Sequence, residues 1–261
     1  MNKNSQARRV PRWLVPAAII IVWAIVTEFG LVRPLFLPSP RAVIRSYMSL
    51  SGALPKALAI SLFMILSGFA IGTGLGILSG LLMAYSATFL DAFGAILDFM
   101  RPVPVFALIP LFVLWFGIGK APQIALIALG CSVVLGVTTN EAIRNMPSIY
   151  VRAAYAMGAS RKDVFRTVVI PYIIPHLIGA IRVAAASSFG LDVAAEFMGS
   201  QEGLGYLMIV QQQYLKTDGI LAVVILYSIL AYLLDMLIAF LERRLTVWTE
   251  RRSKQAGSMA L

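Results

Sequence analysis

The sequence predicts an all-α integral membrane protein with six transmembrane helices, and three observations lead to that fold class. Hydrophobic residues make up 59% of the 261 residues and charged residues only 13%, whereas a soluble domain usually has about 45–50% and about 25%. Apolar runs near the length of a membrane helix recur along the chain. Lys and Arg are concentrated in alternate connections between these runs.

Each apolar run is predicted to be one span. The first run follows a basic start and leads into Thr27, Glu28 and Phe29 without a small-residue cleavage site, which favours an uncleaved span over a signal peptide. The third is short and rich in proline, which spanning helices tolerate where neighbouring helices satisfy the freed backbone groups. The six spans are residues 13–29, 60–84, 103–117, 122–139, 168–193 and 219–241.

The distribution of basic residues predicts that both termini face the cytoplasm. Of the 22 Lys and Arg residues, 15 fall in segments that this arrangement places inside, 6 fall outside and Arg182 falls within a span. This bias is typical of membrane proteins and explains the net charge of +10 without a nucleic-acid partner. The expected regions are a cytoplasmic tail (1–12), the first span with an outer loop (13–59), a core transmembrane domain (60–245) that includes a cytoplasmic loop (140–167), and a cytoplasmic tail (246–261).

The outer loop after the first span is predicted to contain a short helix. Ser39 can cap it, and Pro40 suits its first position. Its apolar residues recur at helical spacing, so the helix lies along the membrane surface or packs on the outer end of the bundle. These residues are Val43, Ile44, Tyr47 and Met48.

A row of four glycines in the second span predicts close helix packing. Small residues spaced four apart share one helix face and let another backbone approach. A nucleotide-binding loop is excluded, because the glycines lie within an apolar helix and the chain has no G-x-x-x-x-G-K-[ST] motif. The glycines are Gly68, Gly72, Gly76 and Gly80.

A polar stretch interrupts the chain between the fourth and fifth spans. The sequence "IYVRAAYAMGASRKDVF" predicts a short helix, a turn at Gly158 and a second helix capped by Ser160, with Asp163 at its third position. Ala153 and Ala154 would give the first helix a surface without bulk, and Pro171 would mark the start of span five. This hairpin is either a docking element or an ordinary solvated loop.

The same stretch resembles the cytoplasmic loop of permease subunits of bacterial ABC importers, whose pattern is E-A-A, three residues, Gly, nine residues, I-x-L-P. Ala153-Ala154, Gly158 and Pro171 match that spacing, and Arg152 stands at the glutamate position. Four further stretches resemble permeases of nitrate, sulfonate and taurine importers. They are residues 35–44, 101–119, 158–165 and 194–208.

The resemblance implies a type I importer permease in the bacterial inner membrane, surrounded by lipid. It implies a homodimer, two ATPase subunits that bind ATP and Mg, and a periplasmic or lipid-anchored solute-binding protein; this chain itself would bind no cofactor. The loop would hold a coupling helix seated in a cleft of the ATPase, with an acidic or polar partner for Arg152. The ATPase-coupling residues would be Arg152, Ala153, Ala154, Met157, Gly158, Ala159, Ser160 and Pro171.

Ionisable residues within spans are costly and are therefore candidates for a functional role. Asp192 and Glu196 lie four residues apart on one helix face, either as a gate or pathway group or as a structural pair. Arg182 could attract an anion or pair with an acid such as Asp235. The small residues that include Ser187 and Ser188 could line the path or pack closely against another helix.

The sequence therefore predicts the pore-forming, non-hydrolytic subunit of an importer for a small anionic solute: a sulfonate, taurine, nitrate or a related organic acid. One alternative is a secondary transporter driven by an ion gradient, but such proteins often show inverted repeats and paired intramembrane ion ligands. Another is a membrane enzyme, which would need a catalytic constellation. The sequence shows neither a repeat nor such a constellation, and it has no cluster of metal ligands.

Overall fold

The computed structural model describes Pro11 and residues 13–245, and these residues form helices joined by short connections. A π-helical turn at Leu90–Gly94 links two short helices, another at Phe165–Val169 precedes a long one, and a 3-10 turn covers Val105–Leu108. The α-helices are α1 (Leu14–Glu28), α2 (Pro40–Ser49), α3 (Leu54–Tyr85), α4 (Ala87–Phe89), α5 (Ala95–Met100), α6 (Ile109–Phe116), α7 (Lys120–Arg144), α8 (Ser148–Ala156), α9 (Arg161–Val164), α10 (Ile170–Gly199), α11 (Leu204–Gln213) and α12 (Thr217–Leu245).

Four of the described helical stretches are long and apolar enough to cross a membrane: Leu54–Tyr85, Lys120–Arg144, Arg161–Gly199 and Thr217–Arg244. A fifth candidate is a bent pair of segments, and α1 is a shorter apolar helix of 15 residues. These six apolar elements follow the order of the six predicted spans, so the fold is compatible with that count.

The third predicted span, 103–117, is not a straight helix. Ala87–Met100 and Val105–Phe116 meet at 92°, because Pro102 and Pro104 interrupt the helical hydrogen bonding between them. The first arm of this bend was not among the predicted spans. Its two aspartates, Asp91 and Asp98, make that arm look like a connection rather than part of an apolar element.

The glycine row joins α3 to α7. All four glycines are buried. A Cβ added at Gly76 would lie 2.7 Å from the carbonyl oxygen of Ser132, and one added at Gly68 would lie 2.6 Å from Cβ of Ile127. Both distances are far below van der Waals contact, so the two backbones approach as closely as they do only because these positions have no side chain.

The long helix α10 lies at the centre of the bundle. Buried side chains along α10 pack against α7, α12 and α6 in separate apolar clusters. Pro171 lies in its first turn, as expected, and Pro175 lies inside it. The wide π-helical turn before Ile170 lets the helical path continue from α9 although Pro171 has no N–H to donate.

The predicted outer helix is confirmed as α2, whose Ser39 cap accepts a hydrogen bond from the Ala42 N–H at 3.3 Å. It packs on α12, where the Ser46 hydroxyl donates to Asp218 at 2.6 Å and the Tyr47 hydroxyl donates to the carbonyl of Ala222 at 2.7 Å. Of the predicted apolar residues, Val43 is buried, whereas Ile44 and Met48 are exposed.

Candidate functional site

The polar stretch between α7 and α10 folds into a compact helical hairpin, α8 and α9. Gly158 forms the turn with φ of 83°, a conformation that favours glycine. The predicted capping box is present: the Asp163 N–H donates to the Ser160 hydroxyl at 3.3 Å, and the Ser160 N–H donates to the Asp163 carboxylate at 3.1 Å. The hairpin therefore has a defined shape set by its own residues.

The hairpin presents apolar side chains at its surface. Met157 is 82% exposed, and Ile149 and Tyr150 are also exposed. We call these three residues the coupling surface. Exposed apolar patches at the end of a bundle are typical of protein interaction sites.

The predicted coupling residues separate into two groups. Ala153, Arg152, Gly158 and Ser160 are exposed and Ala159 is partly so. Ala154 is only 5% exposed, so the expectation that both alanines offer a docking surface is wrong for this one. Its small side chain lies inside the hairpin, where the Ala159 N–H donates to the Ala154 carbonyl and closes the turn.

The hairpin is attached to the end of α3. Arg161 donates a hydrogen bond to the carbonyl of Tyr85, and its guanidinium lies 4.6 Å from the centroid of the Tyr85 ring. The same ring meets Phe165 edge-on at 5.5 Å. Movement of the hairpin would therefore act directly on α3, which packs along α7.

The opposite end of the bundle holds a buried network centred on Glu196. The Ser61 hydroxyl donates to Glu196 Oε1 at 2.6 Å and accepts the N–H of Leu204 at 2.8 Å. The Gly205 N–H donates to Glu196 Oε2. Glu196 thus binds the N-terminus of α11, where backbone donors and the helix dipole favour a carboxylate, and it ties α10, α3 and α11 together.

Asp192 and Glu196 converge on one tyrosine. The Tyr227 hydroxyl lies 3.0 Å from Asp192 Oδ2 and 3.4 Å from Glu196 Oε2. Asp192 is fully buried, and its Oδ1 has no hydrogen-bond partner among the described residues. Both acids therefore lie in the interior between helices of this chain rather than on an open path through it.

Arg182 forms an ion pair with Asp235, which joins α10 to α12. Its Nε and Nη2 donate to the two carboxylate oxygens at 2.6 and 2.7 Å, a bidentate geometry that favours arginine. Glu242 lies 3.9 Å from Nη1. Of the two roles considered for Arg182, the structure favours pairing with an acid over attracting an anion.

The two serines of the small-residue stretch point to different environments. Ser188 is fully buried and its hydroxyl donates to the Ala185 carbonyl at 2.6 Å. It therefore does not line a path through this chain. Ser187 is exposed beside Ala186 and Gly190, so this face of α10 is the one that is free to line a path.

Lysines and one acid surround a cleft at the α11 end of the bundle. Lys56 forms an ion pair of 2.7 Å with Glu202, and hydrogen bonding to Lys56 lowers the pKa of Glu202 below its usual value. A neighbouring cleft of about 220 Å³ is lined by Lys120, Ser200 and Glu202 among other residues. Charged side chains thus border the clefts at this end of the bundle.

Three residues in these sites were not predicted from the sequence. Ser61 and Tyr227 complete the network around Glu196, and Tyr85 anchors the hairpin. Ser61 and Tyr227 are polar residues within apolar runs, which is the signal that could have found them. Their pairing with Glu196 could not be inferred, because 135 and 31 residues separate them from it along the chain.

Comparison with known proteins agrees with this arrangement. Residues 72–247 match the family described as binding-protein-dependent transport system inner membrane component. The taurine transport system permease protein of Escherichia coli is 32% identical over 239 residues, which cover 89% of this chain and 87% of that protein. A protein of Bacillus subtilis provisionally named an aliphatic sulfonates transport permease is 31% identical, over 90% of this chain and 86% of its own length.

Solved structures show the same fold. An inward-facing methionine ABC transporter aligns with a TM-score of 0.64 at 22% identity, covering 77% of this chain and 98% of that one. A bacterial ABC transporter that imports alginate aligns with a TM-score of 0.61 at 17% identity, covering 90% and 96%. Both are type I importers in fold. The chain therefore belongs to the inner membrane permease components of binding-protein-dependent ABC transport systems.

Proposed function

We propose that this chain is the pore-forming, non-hydrolytic subunit of an ATP-driven importer that moves a small anionic solute inward by alternating access. The observation that carries the proposal is the hairpin α8–α9. It is folded by its own capping box, exposes apolar side chains and is attached to α3 through Arg161. A segment of this kind can bind a separate ATPase subunit and pass its movement into the bundle.

The contact with the ATPase is proposed to centre on the coupling surface. Met157 has the largest exposed fraction of the three residues and lies beside the turn at Gly158. Arg152 and Lys162 add basic groups to the hairpin, which suits acidic groups on a partner. Arg152 has no ion-pair partner among the described residues of this chain, which leaves it available to an acidic or polar group on the ATPase.

Glu196 is proposed to hold the outer end of the path closed. Its network fixes the start of α11 against α3 and α10. An opening at that end would have to separate these helices and rearrange the buried hydrogen bonds. Interactions made in only one of two states bias the equilibrium between them, so this network would favour the state that the structure shows.

The solute is proposed to be a small sulfonate or a chemically related anion. Two relatives that match most of the chain carry taurine and aliphatic sulfonates in their names. At the α11 end Lys56 is paired with Glu202, whereas Lys120 forms no ion pair among the described residues and would attract an anion delivered there by a binding protein. Neither intramembrane acid has to face the solute, because both are buried in the network.

The working assembly is proposed to contain two copies of this chain, two ATPase subunits and a periplasmic or lipid-anchored binding protein, with both termini in the cytoplasm. The exposed face of α10 at Ser187 and Gly190 would then lie toward the second copy and the shared path. This orientation places the hairpin inside and the α11 end outside.

Purification of the tagged chain from its native membranes in mild detergent tests the proposal. We expect an ATPase subunit, identified by mass spectrometry, to co-purify at equal stoichiometry, and vesicles that hold the complex to take up radiolabelled taurine or methanesulfonate with ATP and the binding protein. A chain that purifies without an ATPase and takes up solute in response to an ion gradient would contradict it.

A further inference from the structure

Helix α6 is short and lies between a sharp bend and a connection that contains two glycines. Where the chain approaches α6, it bends by 92° between Ala87–Met100 and Val105–Phe116. After α6, Gly117 and Gly119 have φ of 78° and 145°, and a Cβ added at either would meet nothing within 4 Å. Only two of the eight residues of α6 are buried. A change in the angle of α6 would therefore break mainly the contacts that Ile109 and Phe112 make with α7 and α10.

Gln123, in the first turn of α7, lies beneath this helix with an unsatisfied amide. Its side chain is 2% exposed, and neither Oε1 nor Nε2 has a hydrogen-bond partner among the described residues. The surrounding space is apolar and too narrow to admit a water molecule. It is lined by Ile109, Phe112, Val113, Pro122, Leu126 and Ala195.

A buried amide without a partner is unfavourable, and most buried polar groups in folded proteins are bonded. The packing of α6 over Gln123 therefore carries a free-energy cost that any separation of the two would remove. At the adjacent Glu196 network the carboxylate oxygens are bonded and favour the closed arrangement. These two contributions oppose each other at neighbouring positions of α10, Ala195 and Glu196, so a change in either would shift the balance between two arrangements.

We propose that α6 lifts away from α7 and α10 during the transport cycle, and that the Gln123 amide then becomes part of the wall of the solute path. This inference rests on the proposed function, because it requires a path that opens. The amide would donate its N–H groups to sulfonate or carboxylate oxygens of a small solute, and its oxygen would accept from a solute ammonium group or from water. The apolar lining would contact the short hydrocarbon part of the solute.

Cysteine labelling during turnover tests the movement directly. Gln123→Cys is introduced into the full transporter in membrane vesicles and treated with N-ethylmaleimide, at rest and during ATP turnover. We expect labelling at least several-fold faster during turnover. The unsubstituted chain gives the background, because its single cysteine, Cys131, is 1% exposed. Equal labelling in both conditions, while ATP is hydrolysed, would overturn the inference.

A stability measurement tests the unsatisfied amide without relying on transport. Gln123→Met keeps an unbranched side chain of similar length but removes the polar atoms, so we expect the apparent melting temperature to rise by a few degrees. Ser61→Ala removes a bonded buried hydroxyl and should lower it. A lower melting temperature for Gln123→Met would show that the amide is satisfied and would overturn the inference.

The two failures can be told apart. If an ATPase co-purifies and hydrolyses ATP but Gln123→Cys stays unlabelled, the movement of α6 is wrong and the proposed function stands. If no ATPase co-purifies, the proposed function is wrong. The melting temperature of Gln123→Met then shows whether the buried amide lacks a hydrogen-bond partner.

Discussion

Arg161 lies with its guanidinium 4.6 Å from the centroid of the Tyr85 ring and donates a hydrogen bond to the Tyr85 carbonyl. Tyr85 is the last residue of α3, so its carbonyl is one of the acceptors that a helix C-terminus leaves without an intrahelical partner. A cation is also favourable there because of the helix dipole. The hairpin and α3 are thus joined by a charge-assisted contact at the point where force would enter the bundle.

Arg161→Met should weaken this link without altering the coupling surface. The variant keeps an unbranched apolar stem and loses the charge and the donors, so we expect the ATPase to remain bound while ATP-driven uptake falls several-fold. Arg161→Lys retains the charge but lacks the planar group and should be intermediate. The measurement pairs ATPase pull-down with uptake of radiolabelled taurine in vesicles, and unchanged uptake in Arg161→Met would show that the contact transmits nothing.

Gly76, in the glycine row, and Gly74, outside it, form a matched pair of positions on α3. Gly76→Leu would force a side chain into the α7 backbone near Ser132, whereas Gly74→Leu would meet nothing within 4 Å. Overpacking a close interface typically costs about 1–3 kcal/mol, and here the neighbour is backbone. We expect Gly76→Leu to lose most folded protein, measured by size-exclusion chromatography in detergent, and Gly74→Leu to behave like the unsubstituted chain. Equal yields would mean that the face is not packed.

Much of the fold was predictable because it depends on local patterns. The spacing of the glycines set one helix face, Ser160 and Asp163 specified the second helix of the hairpin, and Ser39 with Pro40 located the start of α2. Each of these signals lies close in the sequence to the feature that it predicts, or recurs along the same helix.

What could not be predicted depends on contacts between distant parts of the chain. Nothing near Glu196 indicates that Ser61 and the start of α11 complete its network. Ala154 looks equivalent to Ala153 in the sequence, yet only Ala154 packs inside the hairpin. The 92° bend after Met100 depends on prolines whose effect inside a bundle is decided by the neighbouring helices.

Ser61→Ala should destabilise the outer end of the bundle. The change leaves the Leu204 N–H without its acceptor and removes a donor to Glu196, and each unsatisfied buried group costs about 1–3 kcal/mol. We expect a lower melting temperature in detergent. The same substitution at the exposed Ser51, in the connection between α2 and α3, serves as control and should have little effect on stability. Equal melting temperatures for the two variants would show that the network adds no stability.

Gly158 tests whether the turn of the hairpin needs its observed conformation. Valine is strongly disfavoured at φ of 83°, whereas asparagine tolerates this region. Because an added Cβ meets nothing within 4 Å, any difference arises from the backbone alone. We expect Gly158→Val to lose ATPase binding at normal membrane abundance and Gly158→Asn to keep most of it. Loss of binding in both variants to the same extent would point instead to a direct contact at Gly158.

We expect the coupling surface to bind an ATPase subunit directly. Met157→Asp places a charge at its most exposed residue, and Met48→Asp makes the same change on α2, where Met48 is 72% exposed at the other end of the bundle. Neither side chain is packed inside the fold, so both variants should insert normally. Comparing them separates loss of docking from a general effect of the added charge.

The most direct measurement is the amount of ATPase subunit that co-purifies with each tagged variant from membranes containing equal amounts of the permease. We expect Met157→Asp to lose most of the bound ATPase, and with it ATP-driven uptake, and Met48→Asp to keep the ATPase bound. Full ATPase retention by Met157→Asp, or equal loss from the two variants, would contradict the assignment of this hairpin as the coupling element.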